Sequence, residues 1–166
     1  MTDENAQGGT SEEQANQPQF ALQRIYIKDL SFESPLPITN RPQGKPALAQ
    51  DLHTKIDKIG ENNYEVTLHL TITVKQEEQT LFLIEVHQAG IFFVSGLPEG
   101  QLKHVLSSTC PSILFPYARE TIDSLATRGG FQPLMLPPIN FDAVYAKSQA
   151  EAQKAAGEKP GAGEVH

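Results

Sequence analysis

Tryptophan is absent from this chain, cysteine occurs only at position 110, and cationic residues are outnumbered, with 13 Lys and Arg against 20 Asp and Glu. Each shortage excludes something. A single cysteine rules out a disulfide within the chain, so stability must come from packing, as suits a reducing compartment. A net charge of −7 argues against general binding to a phosphate backbone, which needs a basic surface. No apolar run reaches the ~20 residues of a spanning helix, and the stretch 1–19 has neither Lys nor Arg nor an apolar segment, unlike a signal peptide. A cytoplasmic protein, with neither membrane insertion nor nucleic acid as a partner, is expected.

With 39% hydrophobic residues over 166 positions, the chain suits one globular domain. Its ends do not. Residues 1–19 are rich in Gly, Ser, Gln and acids, including Asp3, Glu4, Glu12 and Glu13, and contain almost nothing to bury, so a disordered acidic tail is expected there. Residues 147–166 start as a fraying helix and dissolve at Gly157, Pro160, Gly161 and Gly163, a second flexible tail. The body is therefore placed at residues 20–146.

Inside the body, strands come first and helices follow. Phe20–Glu33 is aromatic and β-branched and stops at Ser34-Pro35. After a proline-rich loop, Leu48, Leu52 and Ile56 share one parity and mark a weaker second strand. From Tyr64 to Val74, apolar residues alternate with Glu65, Thr67, His69, Thr71 and Thr73, the pattern of a strand with one dry and one wet face. A turn at residues 76–79 leads into Thr80–Gln88, with Phe82, Ile84 and Val86 on one face and Leu81 and Leu83 on the other. A strand apolar on both faces predicts that its second face meets a subunit or a client. Helical spacing then links Leu102, Val105, Leu106 and Thr109, is interrupted by Pro111 and Pro116, and resumes through Leu114, Ala118, Ile122 and Leu125 to a cap at Gly129-Gly130. The loop Phe131–Ile139 carries no charge, and Asn140 fits the cap of a last helix. The fold class is α+β, a four-stranded antiparallel sheet with helices on one face.

Chemistry is sparse. Cys110 with His104 as base is conceivable, but a lone thiol mostly behaves as a small hydrophobe. Glu85 and His87 share a strand face without a third metal ligand. Asp29 and Glu33, four apart on a strand, put two carboxylates on one face, for acid/base work or for docking a basic partner. No phosphate loop and no nucleophile elbow is present in the sequence. What a self-contained domain leaves unexplained is apolar surface: the second face of Thr80–Gln88, the loop Phe131–Ile139, and Leu48 with Leu52.

Several segments resemble the SecB export chaperones: Arg24-Ile25-Tyr26, Lys28–Glu33, Gly90-Ile91-Phe92, Cys110-Pro111, Ile113–Glu120, Arg128-Gly129 and Pro138–Ala143, in unbroken order over about residues 20–146. The resemblance implies a subunit that assembles as a dimer of dimers, a homotetramer, with no cofactor, metal or enzymatic activity. It also implies a task, ATP-independent holding of unfolded precursor proteins and their delivery to the motor ATPase SecA. By the same resemblance, clients meet Leu48, Leu52, Phe131, Leu134 and Leu136, SecA meets Asp29, Glu33, Leu83 and Glu85, and subunits meet through Ile84, Val86 and Gln88.

The chain departs from the family pattern at two places. The crossover Ile38–Gln50 is proline-rich and lacks an aromatic residue, and the C-terminal tail lacks a strongly acidic ending. Two other readings stand beside the first: a SecB-like chaperone dedicated to a toxin–antitoxin system, and a small hydrolase-like enzyme using Glu85, His87 or Cys110.

Overall fold

Alternating polarity and β-branched residues build four long strands, β1 (Gln19–Glu33), β2 (Ala47–Gly60), β3 (Asn63–Gln76) and β4 (Gln79–Ser95). The computed structural model describes residues 17–37, 39 and 44–157. The strands pair antiparallel in the order β1-β4-β3-β2, so β4 and β3 are central and β1 and β2 are edges. Tight turns join β2 to β3 and β3 to β4, with Asn62 at φ 58° and Glu77 at φ 53° taking the left-handed conformation.

Every helix lies on one face of this sheet. Helix α1 (Glu99–His104) passes through a π-helical turn (Val105–Thr109) into α2 (Cys110–Arg128), and α3 (Phe141–Gly157) follows. Leu106, Cys110, Leu114, Ala118, Ile122 and Ala126 recur every fourth residue and are buried against Val66, Leu68, Leu70 and Ile72 of β3 and Phe82, Ile84, Val86 and Phe92 of β4. Each large side chain so buried contributes ~1.5–3 kcal/mol, which makes this single layer the core.

The prolines do not end the helix as expected. Pro111 has no N–H to donate, and the widened turn just before it accommodates the missing bond. Pro116 lies on the exposed side of α2, as does Ser112, whose carbonyl loses its helical donor at the proline. Strand β4 also outruns its expected end at Gln88. Gly90 permits this, because a Cβ there would lie 2.8 Å from the Phe92 ring and 2.9 Å from Leu114 Cδ2, so the strand can pass beneath α2 only without a side chain.

At the end of α2, Gly130 N–H donates to Thr127 O and Phe131 N–H to Ala126 O, with Gly130 at φ 76°, a Schellman cap. Gly129 is needed for a different reason. A Cβ on it would sit 2.2 Å from Phe32 Cζ, so Gly129→Val is expected to cost about 1–3 kcal/mol through overpacking, read as a lower denaturant midpoint with unchanged slope.

The body begins at Gln19, and α3 continues to Gly157, past residue 146. Asn140 Oδ1 accepts from Ala143 N–H and caps that helix as expected. Beyond Phe141 and Tyr145 the helix is exposed and touches the body little. Of the tails expected at 1–19 and 147–166, residues 1–16 and 158–166 lie outside the described residues, as do residues 38 and 40–43 of the proline-rich crossover. Among the described residues no helix is long and apolar enough to cross a membrane.

Candidate client groove and docking face

Two surfaces stand out, one on each side of the sheet. On the helix side, Pro46, Val74, Leu81, Phe82, Phe131, Gln132, Pro133 and Leu134 enclose an apolar groove of about 320 Å³. Phe131 forms its floor by packing on Phe82 at 4.4 Å and Phe32 at 6.4 Å between ring centroids. Leu48 flanks it, paired with Val74 across β2 and β3 and 45% exposed, and Leu52 follows on the same face, half-buried opposite Leu70. The structure thus brings Leu48, Leu52, Phe131 and Leu134 to one side. Leu136 is different. At 2% exposure it belongs to the core, and its neighbour Met135, 78% exposed, is the residue the loop presents outward. A flexible thioether at such a place suits adaptable apolar contact.

The loop keeps its shape because α2 supplies the charges that it lacks. Asp123 Oδ1 accepts hydrogen bonds from Leu134 N–H (2.9 Å) and Met135 N–H (3.1 Å), and Arg119 Nη1 donates to Leu136 O. Met135 is held at φ 48°, a conformation that side chains other than glycine rarely adopt. Sequence reasoning missed Asp123 and Arg119. The available signal was their spacing, one helical turn apart beside an uncharged loop. Asp123→Ala leaves two backbone N–H groups without their acceptor, at ~1–3 kcal/mol for the pair. Amide exchange at Leu134 and Met135 is expected to quicken at least tenfold. Unchanged exchange there would contradict the role.

A larger cleft along α2 is lined by Arg119, Glu120, Asp123, Ser124, Thr127 and Arg128. Its charged walls do not suit an apolar chain.

The opposite face of the sheet is open. Residues paired across β1 and β4 place Asp29 opposite His87, Ser31 opposite Glu85 and Glu33 opposite Leu83. Asp29, Glu33, Leu83 and Glu85 therefore form one patch, and Asp29 is exposed. Further along, Glu65 accepts from Lys28 Nζ at 2.7 Å and from Tyr26 Oη. These two bonds hold the Glu65 carboxyl below its usual range, while burial, then Glu65, push the Tyr26 phenol up to about 12. The expectation of a second apolar face on β4 is corrected here. Leu81 turns inward at a register shift and is buried, and Leu83 shares the face with Glu85 and His87.

Ile84 and Val86 are fully buried beneath the helices, and Gln88 is 2% exposed with its Nε2 donating to Tyr26 O at 2.9 Å. Their side chains are used up within the chain and offer no surface to another subunit, which corrects the expected interface. The exposed apolar residues on that side of the sheet include Phe20, Leu22, Ile27 and Leu30 of edge strand β1.

The residues considered for catalysis are not assembled for it. Cys110 is fully buried, and burial pushes its thiol up to about 12, so it stays protonated and out of reach. His104 and Ser108 both bond Asp142 Oδ1, at 2.9 and 2.5 Å, which pins the start of α3 to the π-helical turn and leaves no histidine to activate the serine. Glu85 and His87 join no convergent ligand set, since no group of three His, Cys, Asp or Glu is placed to hold a metal among the described residues.

Comparison with known proteins agrees with this anatomy. The family model for SecB, preprotein translocase subunit SecB, matches residues 13–152. Protein-export protein SecB of Marinobacter nauticus is 51% identical over 157 residues, covering 93% of this chain and 94% of that protein. The Hahella chejuensis protein of the same name is 54% identical over 147 residues, covering 87% and 92%. Among solved structures, a Mycobacterium tuberculosis SecB-like chaperone in complex with an antitoxin peptide shares the fold, with a TM-score of 0.59 at 18% identity, covering 72% of this chain and 90% of that one. This chain belongs to the SecB family of protein-export chaperones.

Proposed function

We propose that the chain holds unfolded precursor proteins in the cytosol along the groove beside Leu48, Leu52, Phe131 and Leu134, without ATP, and yields them to SecA docked on the open face at Asp29, Glu33, Leu83 and Glu85. The observation that carries this reading is the open apolar groove, flanked by exposed Leu48 next to Val74. A buried methylene is worth only ~0.8 kcal/mol, so a shallow groove binds many sequences weakly. Several grooves on one assembly turn weak contacts into a firm hold on a long client.

We place that assembly, a homotetramer built as a dimer of dimers, on β1. An edge strand presents unpaired backbone groups, and here it carries Phe20, Leu22, Ile27 and Leu30 at 39–45% exposure. Aggregation of a refolding precursor, followed with and without this chain and with no nucleotide present, tests the holding activity. Suppression at a stoichiometric ratio supports it, and unimpeded aggregation refutes it.

The fold shared with a SecB-like chaperone bound to an antitoxin peptide motivates a second reading, a chaperone dedicated to one labile partner. Capture from cells separates the two, because a general export chaperone retains many precursors and a dedicated one retains a single partner.

A further inference from the structure

The docking reading leaves unused a row of histidines in the middle of the open face. His53, His69 and His87 stand directly opposite one another on β2, β3 and β4, so three imidazoles cross the sheet side by side. Their centroids are 4.3 and 4.0 Å apart, the first pair stacked at 17° and the second tilted at 50°. β1 ends the row with Asp29, whose Oδ2 lies 3.9 Å from His87 Nδ1. The near-parallel first pair overlaps face to face instead of aiming its nitrogens at one point, in keeping with the lack of a metal-competent group among the described residues.

Such a stack suits neutral rings, because two positive charges about 4 Å apart repel strongly near a protein surface. The middle ring is the most constrained. His69 Nε2 has no solvent contact and no hydrogen-bond partner, so a proton added there finds no acceptor. Burial first, then His87 and His53, then Lys55 from β2 and Lys28 from β1, all hold His69 below its ordinary pKa of 6.5. The acids around the row sit toward its ends, with Asp51 two residues from His53 on β2, Glu85 two residues from His87 on β4, and Asp29 on β1.

The charge on this face is finely balanced. By strand register it carries six carboxylates, Asp29, Glu33, Asp51, Asp57, Glu65 and Glu85. Against them stand four cations, Arg24, Lys28, Lys55 and Lys75, which leaves −2. Two added protons bring the face to neutrality.

We propose that the row His53–His69–His87 is a proton-operated switch: as pH falls through the histidine range, about 8 to 5, protons taken up by the row cancel the acid excess that attracts a basic partner. The consequence for docking rests on the reading of this face given above, whereas the proton behaviour of the row does not. Stability follows the same sign. The folded protein resists charging His69 while the unfolded chain accepts that proton near 6.5, so the contribution is intact above 6.5 and is lost as pH drops below it.

The test follows the imidazole signals of the full chain by NMR from pH 8 to 5, in the wild type and in the double variant H53Q/H87Q. His69 is expected to charge last, and its midpoint to rise in the double variant, where both repelling neighbours are gone. Three coincident midpoints, or a His69 midpoint indifferent to that substitution, would overturn the switch. A second arm measures SecA binding at pH 8 and pH 6 at fixed ionic strength, for the wild type and for H53Q/H69Q/H87Q. The wild type is expected to lose about tenfold more affinity than the triple variant, and equal losses would overturn the proposal. If the wild type fails to bind SecA at pH 8, the docking reading fails while the NMR arm still decides the row.

Discussion

Replacing Leu48 and Leu134 together by aspartate is expected to abolish the suppression of precursor aggregation while leaving the thermal midpoint within a few degrees of the parent. Both side chains are only partly buried, Leu48 at 45% exposure on edge strand β2 and Leu134 on the rim of the groove. The fold therefore loses little when they become polar. A client loses two apolar contacts of ~1.5–3 kcal/mol each and meets two buried charges in their place. Because a long client occupies several grooves at once, the loss multiplies over subunits. Leu136→Asp makes the complementary case. That side chain is at 2% exposure, so a charge there is expected to unfold the protein instead of blunting binding. Full holding activity in a folded Leu48→Asp/Leu134→Asp variant would remove the groove from the account.

The second large effect concerns the other side of the sheet. Asp29→Lys with Glu33→Lys changes the charge of the open face by four units at positions exposed to solvent. Association with SecA is expected to weaken at least tenfold at low salt, and less as salt screens the pair beyond a Debye length of ~8–10 Å. Client holding should survive, since the groove lies on the opposite side of the sheet. Asp29 also faces His87, so this variant removes the acid that ends the histidine row. Equal loss of SecA binding and client holding in a well-folded protein would mean that the two faces do not divide the work.

The amino-acid pattern made much of this anatomy readable, and where it failed the reasons are physical. Alternation from Tyr64 to Val74 located β3 because a half-exposed strand separates its faces by polarity. The fourfold spacing of Leu114, Ala118 and Ile122 likewise located α2. Gly90 concealed the length of β4, since glycine reads as a break while its role here is to let Leu114 approach the strand. Leu83 and Ile84 are neighbours of similar character, and only strand pairing distinguishes the open-face residue from the core residue. The family resemblance, not the strand pattern, placed Ile84 and Val86 at a subunit contact, and the helices of their own chain cover them.

The site was legible in its apolar half and obscure in its polar half. Phe131 and Leu134 could be found because a loop without charge is unusual at a surface. Asp123, which holds that loop, gave only the weak signal of its spacing from Arg119, and its role rests on two backbone hydrogen bonds. The histidine row was hidden more thoroughly. His53, His69 and His87 are far apart in sequence, and only the registers of β2 with β3 and β3 with β4 set them side by side.

Hydrogen exchange of the intact protein, with and without an unfolded precursor and with no nucleotide present, tests the division of the sheet into two working faces. New protection is expected at residues 46–52 and 131–136, with the β1 segment 29–33 unchanged. Protection confined to 29–33, or no protection while a complex is present, would contradict the assignment of clients to the helix-side groove.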